Sequence, residues 1–179
     1  MKKKVLHIIS SMCDGGAQRV VYDYVQRKKQ LDGYELIFLS LSAPTESTYD
    51  LNIRNHKYQF SYLNYKKSNC KIVVLRKMLN FIRRNMAIYK FVSNCNPDIV
   101  HTHITDIFRD LFILFILFRG IKVHTMHSDP YRFSSIDVML SKFVFHSLNV
   151  HPIAVSEGQK KKAIQRYALA ECDLLRNFI

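Results

Sequence analysis

The side chains whose types and spacing suit chemistry fall in three places. Residues 10–18 carry Gly15 and Gly16 side by side, between an apolar run and a helical pattern. Paired glycines let a ligand approach the backbone closely, and the unpaired N–H groups that open the following helix form a ready anion site. The segment is not the G-x-G-x-x-G of dinucleotide-binding turns, and it lacks the lysine of a Walker loop. On spacing alone, the same glycines also fit a tight turn in which one of them needs positive φ. His101 and His103 stand two apart, so on a strand they share a face, with His103 at the carboxyl end where open α/β sheets bind ligands. His124 and His127 bracket the end of the next apolar run, with Asp129 just beyond. The two strand-end histidines, His103 and His127, suit a crevice for phosphate or hydroxyl groups better than a core. His7, His101 and His124 are expected to hydrogen-bond within the core. A zinc site would have to be assembled across separate strands, and no tight ligand cluster favours one, so no metal is assigned.

No nucleophile is evident. Ser128 and Ser156 lack the G-x-S-x-G elbow, and Cys13 has no defined base partner. Asp106, Asp129 and Glu157 each follow a strand end, where a carboxylate either binds sugar hydroxyls or favours a helix start. Glu157, beside the candidate cap Ser156, is assigned to the helix start. Cys13, Cys70, Cys95 and Cys172 show no C-x-x-C pairing, which suggests neither a disulfide framework nor a cysteine zinc site and points to a reducing compartment.

Charge is a separate theme. The 27 basic residues outnumber 14 acidic ones, for a net charge of +13, so a polyanion or anionic surface is an expected neighbour. From residue 51 to 97 there are ten Lys and Arg and no Asp or Glu. Within this stretch Leu75, Met78, Leu79, Ile82, Met86 and Tyr89 recur at helical spacing, while Arg76, Lys77, Arg83, Arg84 and Lys90 lie off the centre of that stripe. Such a helix suits an anionic membrane surface, with Arg76, Lys77, Arg83 and Arg84 as the contacts. A core-packed helix with a solvated face would explain the stripe but not the missing acids. No nucleic-acid-binding motif accompanies the charge, so nucleic acid is not expected as a partner.

The elements that must position these residues follow from the apolar pattern. Continuous apolar runs at residues 4–9, 35–41, 98–103, 122–126 and 151–155, with a weaker one at 59–63, read as buried parallel strands. Helical spacing marks residues 16–29, 73–92, 105–118, 134–148 and 157–167, and residues 44–57 read as a polar connection. Six strand–helix units of about 30 residues each have the size of a βα repeat with right-handed crossovers. The expectation is an α/β fold, a doubly wound Rossmann-like parallel sheet. The longest apolar run, residues 111–118, is far short of the roughly 20 residues a spanning helix needs, and residues 5–9 are too few for a signal-peptide core. The chain turns apolar again from Glu171 to Ile179, as if it continued into another piece.

Four motifs in order resemble the amino-terminal domain of glycosyltransferase family 4: residues 4–21 with Gly15 and Gly16, residues 97–103 ending in His103, residues 123–129 with His127 and Asp129, and residues 153–157 with Ser156 and Glu157. The likeness spans nearly the whole chain, so residues 1–179 are expected to be one such domain, the acceptor-side half of a GT-B architecture. It implies retaining transfer of a sugar from a nucleotide-sugar donor to a lipid-linked or polysaccharide acceptor, in bacterial surface glycan synthesis. It also implies a separate carboxyl-terminal, donor-binding domain, absent from these residues and supplied in cis or in trans. No cofactor beyond the donor is implied, and the place is the cytoplasm, peripheral to the inner face of the membrane. By the same resemblance Gly15 and Gly16 approach the donor phosphates, His103 lies near the reacting centre, and His127 and Asp129 face the acceptor. Gln18 stands where the family often has Glu, which removes a charge contact but leaves the loop geometry intact. The isolated domain is expected to be inactive. A reading from another class is a non-catalytic α/β module that binds anionic membrane or polymer.

Overall fold

In the computed structural model, which describes residues 2–103 and 107–175, seven parallel strands form one sheet in the order β3-β2-β1-β4-β5-β6-β7. The strands are β1 (Lys3–Ile9), β2 (Tyr34–Ser40), β3 (Ser61–Tyr62), β4 (Ile99–Thr102), β5 (Ile121–Met126), β6 (Val150–Ala154) and β7 (Asp173–Leu174). The helices are α1 (Gly16–Arg27), α2 (Thr48–Asn55), α3 (Val73–Cys95), α4 (Ile107–Leu117), α5 (Ser135–Ser147) and α6 (Glu157–Tyr167). The chain moves outward from β1 to β3, then returns to lay β4 on the other side of β1. Right-handed crossovers therefore put α1 and α2 on one face and α3 to α6 on the other. The core splits accordingly. Val5 and Ile9 pack with Val21, Val25 and Ile53, whereas Leu6 and Ile8 pack with Ile88, Leu111 and Phe145. Alternate β1 side chains thus serve opposite layers, and both layers being apolar accounts for the unbroken run in the sequence.

The doubly wound parallel sheet is the expected fold, with three local differences. Residues 48–55 are a helix, not a polar connection. Ser47 caps α2 by accepting from the Asp50 N–H, and its buried side is Ile53 with Asp50, whose carboxylate accepts from the Tyr62 hydroxyl and the Thr45 N–H. A two-residue β7 extends the sheet beyond β6. In α3 the buried residues are Asn85, Ile88 and Val92, so the stripe from Leu75 to Tyr89 does not pack into the core. The expected helix start at residue 105 and Asp106 lie outside the described residues, as do residues 176–179.

Candidate functional site

The strand order reverses between β1 and β4, and the carboxyl ends at such a reversal are the usual ligand position in open α/β sheets. The Gly15-Gly16 turn leads from β1 into α1, and His103 follows β4 directly. The His103 N–H donates to the Ile8 carbonyl at 3.0 Å, so the two strand ends are stitched together there.

The glycine turn is built for approach. Gly15 is extended at φ 178°, and among the described residues the one glycine in the left-handed region is Gly33. The tight-turn alternative, with positive φ at Gly15 or Gly16, is therefore corrected. A Cβ at Gly16 would meet open space, and one at Gly15 would strike the Gln18 side chain 2.6 Å away. No side chain caps the first turn of α1, and it carries no acid, so its N–H groups face outward with the positive end of the helix dipole. The turn is braced from below. Thr45 and Ser47 hydroxyls both donate to the Met12 carbonyl, Thr45 at 2.8 Å, and Asp14 accepts from the Thr48 N–H at 3.1 Å. Gln18 donates to the Ser11 carbonyl at 3.2 Å, a bond that an ionised glutamate, having no donor, could not make.

The histidines lie beside this turn. In register, Phe38 of β2, His7 of β1 and His101 of β4 form one row on the α1 face. His7 Nδ1 and His103 Nε2 share a hydrogen bond of 2.9 Å, and the Tyr24 ring of α1 packs against His7 at a tilt of 31°, with ring centroids 4.9 Å apart. His101 Nε2 bonds the Thr125 hydroxyl at 2.7 Å. His124 belongs to the opposite layer, where its Nδ1 bonds the Thr102 hydroxyl at 2.8 Å and its ring meets Phe145. His7, His101 and His124 are thus the buried, hydrogen-bonded core histidines expected. His103, expected to line a crevice and not the core, is buried as deeply, with no exposed surface, and bonds His7 within the core. The His127 ring follows β5 with its centroid 5.8 Å from that of His103. His103 Nδ1 and His127 Nε2 have no hydrogen-bond partner among the described residues. Such orphaned buried atoms mark where a ligand's polar groups would be satisfied. Burial pushes His7 and His124 down to about 3 and His127 to about 4. Burial, with mutual repulsion added, holds His101 and His103 well below the ordinary value. Every ring is neutral at pH 7 and offers one donor and one acceptor, a match for hydroxyls. His7, His101 and His103 bring ring nitrogens within 4.8 Å of one another, a trio the sequence could not group because β1 and β4 are so far apart in the chain.

Asp129 is engaged elsewhere. It accepts from the Tyr131 N–H at 3.0 Å at the start of a short 3-10 turn, and from Lys162 of α6 at 2.5 Å, bonds that lower its pKa. The carboxylate thus orders the loop after His127. Glu157 lies in the first turn of α6, which Ser156 caps by accepting from the Gln159 N–H at 3.2 Å. Gln159 in turn accepts from the Val155 N–H and donates to the Ser128 carbonyl, tying the β5 and β6 ends together. Of the four basic residues expected at a surface, Arg76, Lys77 and Arg83 are exposed and Arg84 is half-buried.

The family model described as Glycosyltransferase Family 4 matches residues 14–179. The chain belongs to this family. Among solved structures, Anabaena HepE in complex with UDP and glucose has a TM-score of 0.68 at 15% identity, covering 99% of this chain and 45% of that one. The lipopolysaccharide outer core galactosyltransferase WaaB, in its apo form, has a TM-score of 0.63 at 13% identity, covering 98% of this chain and 46% of that one. Sucrose-phosphate synthase from Thermosynechococcus elongatus has a TM-score of 0.59 at 13% identity, covering 96% and 47%. The family 4 chain described here therefore spans less than half the length of each, and its sheet is one Rossmann-like half of a GT-B architecture. No curated protein matches it significantly.

Proposed function

We propose that this family 4 chain is the acceptor-side half of a retaining glycosyltransferase, moving a sugar from a nucleotide-sugar donor to a lipid-linked or polysaccharide acceptor in surface glycan synthesis. The observation that carries this is that the uncapped glycine turn follows β1 and His103 follows β4, the two strands between which the order reverses, with His127 at the end of the neighbouring β5. HepE, of similar fold, has been solved with UDP-glucose, which supports a nucleotide sugar as the donor. In transfer, the bond from the sugar C1 to the diphosphate breaks, the acceptor oxygen bonds C1 and releases its proton, and negative charge grows on the leaving phosphate. The first turn of α1 would stabilise that charge through N–H groups already aimed outward, with Gly15 and Gly16 letting the phosphate come close. His103 Nδ1 and His127 Nε2 would take sugar or acceptor hydroxyls, and Asp129 would hold the loop that carries His127.

The donor-binding contacts fall to a second domain in cis or in trans. Transfer by a two-domain protein that joins this chain to such a domain tests the proposal, with the chain alone expected to show no turnover. Efficient turnover by the chain alone would sink the two-half reading. The exposed stripe on α3 also suits a non-catalytic docking module, and that reading would stand if the joined protein bound no nucleotide sugar.

A further inference from the structure

A metal site assembled across separate strands, which spacing along the chain does not favour, is what the pairing of β1 with β4 brings together. His7 of β1 lies opposite His101 of β4 in the parallel ladder, and His103, two residues beyond His101, falls on the same face of the sheet. His7, His101 and His103 each have a ring nitrogen within 4.8 Å of the other two. His7 Nδ1 and His103 Nε2 are 2.9 Å apart, and the ring centroids of His101 and His103 are 4.1 Å apart. Three nitrogens bound to one tetrahedral zinc ion at about 2.0–2.1 Å lie roughly 3.3 Å from each other, so the trio closes on a metal with side-chain shifts of about 1 Å or less. The Thr125 hydroxyl holds the His101 ring through Nε2 at 2.7 Å, an outer hydrogen bond of the kind that orients a ligating imidazole. Phe38 and Tyr24 wall the trio, with ring centroids 5.2 Å and 4.9 Å from that of His7. Burial keeps the three rings neutral, and neutral imidazole is the ligating form. Among the described residues this is the one group of histidine, cysteine or acidic side chains so closely gathered.

We propose that His7, His101 and His103 form a transition-metal site that takes zinc(II) through one ring nitrogen each and leaves the fourth tetrahedral position to water. The donor set fixes the class of metal. Imidazole suits zinc, copper, iron and nickel, whereas magnesium and calcium need oxygen ligands that the trio lacks. The ion takes the place of the proton shared by His7 and His103, which moves to the other nitrogen of its own ring, so both rings stay neutral. With the ion on Nε2, His103 carries its N–H on Nδ1, the atom left without a partner among the described residues. The ion thus fastens the end of β4 to β1 and fixes one tautomer of His103. The site does not rest on the transferase proposal, and its test needs no sugar.

The full chain, stripped of metal with a chelator, is titrated with cobalt(II) as the spectroscopic probe. About one equivalent is expected to give the visible bands of tetrahedral nitrogen ligation, and zinc to displace it. Zinc at a hundredfold excess over its dissociation constant raises the melting temperature by about 5–11 °C. His7→Asn keeps an amide where Nδ1 meets His103, and His101→Asn removes a second ligand; each lowers cobalt affinity by more than about a hundredfold. His56→Gln, at an exposed histidine, binds as the wild type does. Where a histidine variant does not melt cooperatively, the wild-type spectrum and the zinc shift decide. The absence of a tetrahedral cobalt band in the wild-type chain, a sulfur-to-cobalt charge-transfer band from a cysteine ligand, zinc stabilisation that survives in both ligand variants, or its loss in His56→Gln would each overturn the proposal.

Discussion

Lowering the pH from 7 to 5 should destabilise this protein through its buried histidines, before most carboxylates titrate. His7 and His124 have folded pKa values of about 3, against about 6.5 for an unfolded histidine. Between those values the unfolded chain binds more protons than the folded one, so stability falls as the pH drops below 6.5 and is fully present above it. At pH 5 the loss is about 1.5 pH units at roughly 1.4 kcal/mol each, or about 2 kcal/mol per histidine. The two together lose about 4 kcal/mol, and the buried His101 and His103 act in the same direction. His127, with a folded pKa of about 4, loses nearly as much over the same range. Against a total stability of roughly 5–15 kcal/mol this is large. At about 2–4 °C per kcal/mol for a chain of this size, the melting temperature should drop by about 8–16 °C. Thermal melts followed by far-UV circular dichroism at pH 7, 6 and 5 measure it. His124→Asn keeps a polar group beside the Thr102 hydroxyl and removes one titrating ring, so its stability should fall less steeply with pH by roughly 1.4 kcal/mol per unit. A melting temperature constant to within 2 °C from pH 7 to 5, or a variant with the wild-type slope, would refute the reasoning.

Two other changes separate the binding surface from the framework. Gly16→Ala places its methyl in open space at the first position of α1, so the melting temperature should hold while affinity for nucleotide sugar in the two-domain protein falls about tenfold, as isothermal titration would register. Asp50→Ala leaves the Tyr62 hydroxyl and the Thr45 N–H without their acceptor inside the α2 layer, and denaturant unfolding should show a loss of about 2–4 kcal/mol.

The sheet was legible because a strand buried on both faces has no polar alternation to confuse it, as in β1 and β4. α2 was not. Its buried side pairs Ile53 with a carboxylate, so the apolar period that betrays a helix is missing, and the surviving signal is Ser47 three residues ahead of Asp50. β7 offers two residues and no pattern. On α3 the spacing gave a stripe without saying what it faces, since Asn85, Ile88 and Val92 form a second row beside it and only packing decides which row goes inward. The strand-end positions of His103 and His127 could be read from the runs that precede them. The bond between His7 and His103 could not, because it depends on β4 lying beside β1, a pairing across 96 residues that neither run encodes.

Sugar transfer at the rim between β1 and β4 stands or falls with His103. In the two-domain protein, His103→Gln keeps a polar group where Nε2 meets His7 and removes Nδ1, the atom left without a partner. The measurement is kcat/KM for transfer of labelled sugar from a nucleotide sugar into lipid-extractable product, for wild type and for a variant that still melts cooperatively. A fall of about a hundredfold is the predicted result. Transfer within threefold of the wild-type rate, on the scale where one lost hydrogen bond counts tenfold or more, would contradict it.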